Sequence, residues 1–424
     1  MNKLNSSICV LIACCLLGQT SPAQNVITDW AGIVQPAINN ATAPRSPASS
    51  EVLHATIQLA AYNAAIAIEG GYQSYGEAIS APHGADVRAA VATAAYRTAR
   101  ARVDPSQVAY LDSQYQTYLA TIPGGHSKDD GIQVGEAAAT ALLLLRANDG
   151  FSNIVLYECS DPLPVGEFEP NGGCGTQPVD AKLAQVTPFT LADPSCFRPG
   201  GPNPLTSEGY TEDFIETRDF GRADSTVRTP DQTDVAYFWS EHTYMQWNRN
   251  LISLAIRFRL NVRETARFFA LVHTSAADAI IVGFNAKYFF RSWRPRTAIP
   301  RADTDGNPDT DPDSTWTPLL TVNHPEYPSA HGFYSSSVTE IVAQYFGTRN
   351  LSLTLSGNKT AVPQLVQTER RYRNLDALDR EIDNARVWSG LHWRHSMHDG
   401  DRIGQHVAQR VFANYFRPIH KRDW

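Results

Sequence analysis

The chain has 424 residues, 42% hydrophobic and 19% charged, the balance of a globular protein long enough to bury one large core or two medium ones. Its formal charge of −7 and the lack of any basic run argue against nucleic acid as a partner. After the first two dozen residues no stretch reaches the roughly 18 uninterrupted apolar residues of a membrane span, so no transmembrane segment is expected in the mature protein.

The opening, MNKLNSSICVLIACCLLGQTSPAQ, reads as an export signal: Lys3 supplies the positive start, Ile8 to Leu17 the apolar run, and Ser21-Pro22-Ala23 the cleavage site, cut after Ala23. A lipoprotein-type box at Leu11-Ile12-Ala13-Cys14 competes with it but leaves an apolar run too short for the purpose. The expected location is a periplasm or the cell exterior. Residues 24–148 form an N-terminal helical half. Helical patterns run near Ser50–Glu69, Ala85–Val103, Asp104–Thr121 and Lys128–Ala147, alanine-rich with apolar residues three and four apart.

Residues 149–227 differ, being rich in Gly, Pro and Asp with little periodicity, and are expected to be an irregular covering segment. Cys159, Cys174 and Cys196 fall within it, so one disulfide and one free thiol are expected, with the pairing open. Residues 228–424 form a second helical bundle. A pattern starts near Thr233, another at Asn261 with a cap-like Asn-x-x-Glu, and two more span Ser329–Phe346 and Trp393–Phe416. Strand signals are sparse, and the fold expected is an all-α bundle.

Chemistry concentrates in three places. The stripe Phe269, Val272, Ala276, Ala279, Gly283 continues at four residues to Lys287 and puts a lysine on a buried face. Arg294 comes seven residues later, about 20° round an ideal helix that Pro295 ends. Two cations on an inward face repel unless an anion lies between them. Ser329 has cap chemistry; the helix it starts offers the N–H groups of Ala330 and its neighbours as an anion seat, with His331 in the first turn. Arg386 and His392 would point about 120° apart in one helix, but Ser389-Gly390 breaks it and lets both face one point. Singly, each piece has an ordinary reading: a lysine snorkelling from a helix end, a surface histidine after a cap, an exposed arginine. Together they form a donor set for a tetrahedral oxyanion, with an imidazole to bond its central atom.

Lys287…Arg294-Pro295, Pro328-Ser329-Ala330-His331 and Arg386…His392 resemble, in order and spacing, the three-part signature of the type 2 phosphatidic acid phosphatase and vanadium-dependent haloperoxidase superfamily. HATIQLAAYNAAIAIEGGYQSY, GIQVGEAAATALLLLRANDG and HPEYPSAHG are similar to segments of exported bacterial haloperoxidase-like members. The resemblance implies that Lys287, Arg294, Arg386, Ser329 and the Ala330 amide bind vanadate, the expected cofactor. It makes His392 the ligand of vanadium, or the nucleophile toward phosphorus, and His331 the general acid/base. Lys287 joins the catalytic set by polarising peroxide, and His324, seven before His331, takes the halide-tuning position, where histidine resembles bromoperoxidases. This sequence departs from the pattern in PSAH for PSGH and in Ser396 where an aspartate often stands, with Asp399 three further on. The orienting partner of His392 is therefore open, and Asp231 and Asp234 are only candidates for that of His331.

Two activities follow from the resemblance. A vanadate-dependent haloperoxidase would take hydrogen peroxide, a halide (bromide or iodide favoured) and a small organic acceptor. A soluble exported acid phosphatase would use a phosphohistidine at the same site and no vanadate. An oxyanion-binding protein without turnover is a third class. The oligomeric state stays open, a homodimer included. ADTDGNPDTDPDS, from Ala302 to Ser314, alternates oxygen ligands but lacks the glycine position and terminal glutamate of a calcium loop; a solvated acidic loop near the pocket rim is expected.

Overall fold

A computed structural model describes residues 25–40, 42 and 45–419; the expected export signal lies outside them. Thirteen α-helices and one two-stranded hairpin are present among these residues. Helices α1 (Val26–Asn39), α2 (Pro47–Glu69), α3 (Val87–Arg102), α4 (Val108–Ala120) and α5 (His126–Leu145) make the first bundle. Their starts follow cap chemistry: Ser46 caps α2 ahead of Pro47, and the Asp86 carboxylate accepts from two amides of α3.

Residues 149–207 are irregular, apart from a short 3₁₀ turn at Ala181–Gln185, and a disulfide joins Cys159 to Cys174, leaving Cys196 free. The irregular region ends earlier than the composition predicts. Helix α6 (Glu208–Gly221) lies inside it, capped by Ser207 and buried through Tyr210, Phe214 and Thr217. The pattern from Thr233 is two helices, α7 (Pro230–Phe238) and α8 (Thr243–Arg257), divided by a short turn.

Helix α9 (Val262–Phe290) starts on a complete Asn261–Glu264 capping box. It is long and apolar enough to cross a membrane, yet 94% of that apolar window is buried, which marks a core helix. It packs against α2 of the first bundle and against α11 (Ala330–Phe346) and α13 (Arg394–Asn414) of the second. One large apolar core runs from Val26 to Phe416, so the two halves share an interior, and a smaller cluster gathers Tyr210, Phe214, Trp293, Trp316 and Trp393. A buried polar tie crosses it: Glu51 of α2 accepts from Tyr334 Oη of α11 at 2.6 Å and faces His273 Nδ1 of α9 at 2.8 Å. Between α9 and α11 come α10 (Pro295–Ala298) and the acidic loop. There Asp303, Asp309 and Asp311 are exposed, as a solvated acidic loop requires, but Asp305, Asn307 and Thr310 are buried among loop hydrogen bonds, Asn307 donating to Thr211 of α6.

The hairpin of β1 (Leu353–Ser356) and β2 (Glu369–Tyr372) precedes α12 (Leu375–Trp388). Close approach of α13 to α11 depends on glycine. A Cβ at Gly400 would stand 2.8 Å from the Ser329 carbonyl, and one at Gly404 would collide with the Phe333 carbonyl and the Ser336 hydroxyl. This contact sets the start of α13 beside the start of α11.

Candidate active site

Every candidate oxyanion donor converges at that junction. Lys287 is fully buried, and among the described residues its ammonium donates only to the carbonyls of Pro325 at 3.0 Å and Glu326 at 2.9 Å. Arg294 shares the Pro325 carbonyl (3.2 Å) and donates to the carbonyls of His324 and Leu391, both at 2.7 Å. It reaches this point from a different backbone than the one expected. Helix α9 ends at Phe290, Arg291 takes a left-handed conformation (φ 51°), and Arg294 caps α10. Arg386, at the end of α12, donates to the Trp239 carbonyl at 2.9 Å; its Nε is buried without a partner among the described residues. The break after α12 falls where Ser389-Gly390 predicts. Gly390 has φ 72°, and a Cβ there would meet the Gly221 and Pro318 atoms packed against it. Ser329 caps α11, accepting weakly from Gly332 N at 3.5 Å, and the first-turn N–H groups beginning at Ala330 have no intrahelical acceptor.

His392 is 1% exposed. Its Nδ1 lies 2.8 Å from Glu326 Oε1, which also accepts the Trp393 amide at 3.1 Å. A carboxylate acceptor there places the imidazole proton on Nδ1 and leaves the Nε2 lone pair unprotonated. Toward Nε2 the one hydrogen-bonding group within reach among the described residues is Arg294 Nη1, at 3.4 Å. Glu326, 0% exposed, is the residue that sequence reasoning missed. It lies inside the segment HPEYPSAH, and a carboxylate between two prolines five residues before His331 was the available signal. The alternatives considered for this role do not fill it. Ser396 Oγ is 3.4 Å from His392 Nδ1, while Asp399 is occupied by Tyr327, His395 and Arg402.

His331 faces Thr243 Oγ1 through Nε2 at 3.1 Å. Asp231 and Asp234 are corrected as its partners: Asp234 accepts the amides of Val366 and Gln367, and Asp231 pairs with Arg370. His324 Nδ1 lies 2.9 Å from Arg294 Nη2, and its ring sits 5.5 Å from that of Phe284. His324, Ala330, His331, Arg386 and His392 all line one cavity of about 300 Å³.

The electrostatics are those of an anion site. Burial, then Arg294, pushes the Lys287 ammonium well below its usual range, with Arg386 adding to the push. Burial lowers Arg294 to about 10 and Arg386 to about 9. His324, His331 and His392 are all held well below the ordinary imidazole value, by burial first and neighbouring cations second. They are neutral at pH 7. Glu326 is raised to about 7 by burial, against the pull of Arg294 and Lys287. Three buried cations thus face one carboxylate, an arrangement that costs stability until an anion enters and reverses the repulsion. The orphaned Arg386 Nε, the helix start and the unprotonated Nε2 match a tetrahedral oxyanion with donors at its oxygens and one bond to its centre; vanadate fits this set.

Residues 267–421 match the family model of the VCPO second helical-bundle domain. Over 200 residues the chain is 26% identical to the vanadium chloroperoxidase of Curvularia inaequalis, a stretch covering 40% of this chain and 31% of that protein's length. Solved structures similar to it include a bacterial vanadium-dependent iodoperoxidase (TM-score 0.76, 18% identity, 94% of this chain and 97% of that one). A holo-type bacterial vanadium-dependent chloroperoxidase also matches (TM-score 0.70, 17% identity, 92% and 97%). Residues 267–421 thus match the second helical-bundle domain of that family model, and the fold as a whole is that of the bacterial vanadium-dependent haloperoxidase structures.

Proposed function

We propose that the protein is an exported, vanadate-dependent haloperoxidase that oxidises a halide with hydrogen peroxide to a hypohalous species. The observation that carries this reading is the buried set of three cations around one neutral histidine, whose Nδ1 is engaged by Glu326 at 2.8 Å. When bound, vanadate supplies a Lewis acid that activates peroxide toward the halide without a change in its own oxidation state. Lys287, Arg294 and Arg386 would neutralise the oxyanion's charge, and by the family pattern Lys287 would polarise peroxide. Ser329 and the Ala330 amide would add neutral donors, and His392 Nε2 would hold the centre. His331, kept neutral by burial, takes a proton from incoming peroxide and returns it to the departing oxygen. Thr243 orients its ring.

His324 forms part of the cavity wall beside Arg294; by the family pattern a histidine there resembles bromoperoxidases more than chloroperoxidases. The Cys159–Cys174 disulfide supports an oxidising compartment, in line with the export signal. The test is to strip the purified protein, add orthovanadate, and assay peroxide-dependent bromide and iodide oxidation beside hydrolysis of a phosphomonoester. Halide oxidation that requires vanadate supports the proposal. Hydrolysis that vanadate inhibits, with no halide oxidation, replaces it with a phosphatase using His392 as nucleophile.

A further inference from the structure

The cavity beside His331 is larger and more apolar than halide and peroxide require. At about 300 Å³ it falls at the lower end of small-molecule sites, whereas a water-sized species takes only about 30 Å³. Ile280, Phe284 and Phe333 form its inner wall, all 2% exposed or less. Phe284 and Phe333 meet edge to face with ring centroids 6.1 Å apart, so the wall they make is an aromatic surface against which another ring can pack.

The outer wall comes from the irregular segment. Val179 and Asp180 line the cavity beside Val322 and Asn323. Val179 is stitched to the second bundle by its own amide, which donates to the Asn323 carbonyl at 2.8 Å, and by its carbonyl, which accepts from Tyr288 Oη. The Asp180 carboxylate is held by the hydroxyls of Ser46 and Ser49 at the start of α2. One end of the cavity is therefore cationic and catalytic, the walls are apolar, and a fixed carboxylate stands at the rim.

We propose that this cavity binds the organic acceptor itself, a planar aromatic molecule bearing a hydroxyl or amino donor. Its ring lies against Phe284 and Phe333, and its donor faces Asp180. The inference rests on the haloperoxidase reading for its chemistry. Halide, hydrogen peroxide and one proton give the hypohalous acid and water. A carbon of the bound ring then forms a bond to the halogen as the halogen–oxygen bond breaks, and the ring proton leaves with that oxygen as a second water. Confinement beside His331 dictates which ring carbon reacts.

The test uses 2-naphthol as probe with vanadate-free protein in equilibrium dialysis, comparing wild type, Val179→Arg and Asp180→Asn. Val179 is 43% exposed, so arginine there fills the mouth without disturbing the core. One site per chain is expected, weakened at least tenfold by Val179→Arg and three- to tenfold by Asp180→Asn. With vanadate, peroxide and bromide, the wild-type ratio of brominated isomers differs from that made by hypobromous acid alone, and the Val179→Arg ratio approaches the latter. Absence of binding, or binding indifferent to both substitutions, overturns the proposal. Probe binding without any halide oxidation leaves the cavity assignment standing and removes the haloperoxidase reading. Halide oxidation with no probe binding does the reverse.

Discussion

Replacing Glu326 separates two roles that the same carboxylate plays with opposite sign. Its hydrogen bond orients His392 toward the oxyanion, while its negative charge repels that oxyanion. Glu326→Asp keeps the charge but withdraws the carboxylate by about one methylene, breaking the 2.8 Å contact to His392 Nδ1 and the 3.1 Å contact to the Trp393 amide. Loss of such a ligand-orienting partner typically weakens affinity about 10- to 100-fold, or roughly 1.4 to 2.8 kcal/mol. Glu326→Gln keeps an acceptor within reach but makes the bond neutral, at about half the strength. It also removes a repulsion. Across the hydrogen bond, the imidazole ring and the bond to the guest, the charges are roughly 7 Å apart. At an effective dielectric of ~20 that repulsion is about 2 kcal/mol. The glutamine variant should therefore bind orthovanadate more tightly than the aspartate variant, with wild type at least tenfold tighter than aspartate.

Equilibrium dialysis against orthovanadate measures the order directly. Stability of the vanadate-free glutamine variant should be little changed at neutral pH, because burial already raises the Glu326 carboxyl to about 7 and the fold disfavours its charge. A glutamine variant that binds vanadate far more weakly than the aspartate variant would refute the reasoning. The charge of Glu326, and not its placement of the imidazole, would then govern the site.

Arg386→Ala should raise the Tm of vanadate-free protein slightly, since it relieves repulsion from Arg294, and should abolish most of the stabilisation that orthovanadate adds; thermal melts with and without vanadate check both. His331→Ala should lower turnover by about 10²- to 10⁴-fold while vanadate affinity in dialysis stays within about threefold. Asp278, buried in α9, accepts the amides of Phe189 and Thr190 at 2.6 and 2.8 Å, and burial raises its carboxyl to about 6. Its folded-state pKa is above the unfolded value, so the folded state binds the extra proton. That contribution is fully present below about pH 4, is lost as pH rises through 6, and amounts to about 3 kcal/mol. Unfolding by denaturant at pH 4.5 and 7.5 should show Asp278→Asn losing this part of the pH dependence; an unchanged pH slope would contradict it.

Much of this protein is legible in its amino-acid order, because the signals concerned are local. Helix caps such as Asn261 and Ser329, the Ser389-Gly390 break and the spacing Lys287–Arg294, Ser329–His331, Arg386–His392 depend on residues a few positions apart, where backbone geometry dictates the outcome. Helix α6 escapes such a reading because its 14 residues carry only a few buried apolar side chains among Glu, Asp and Thr, and its face is defined by Trp393 and Trp316, far along the chain.

The partners of the two histidines are decided by tertiary structure alone. The register of the Pro325–Pro328 turn against the start of α13 aims Glu326 at His392, and the packing of α8 sets Thr243 on His331. A carboxylate reads alike in sequence whether it faces water or an imidazole, as Asp231 and Glu326 demonstrate. The same holds for the cavity, whose outer wall comes from residues 179–180 and whose inner wall from α9 and α11. Sequence spacing specifies which side chains share a helix face, but which faces meet depends on the burial of one common core.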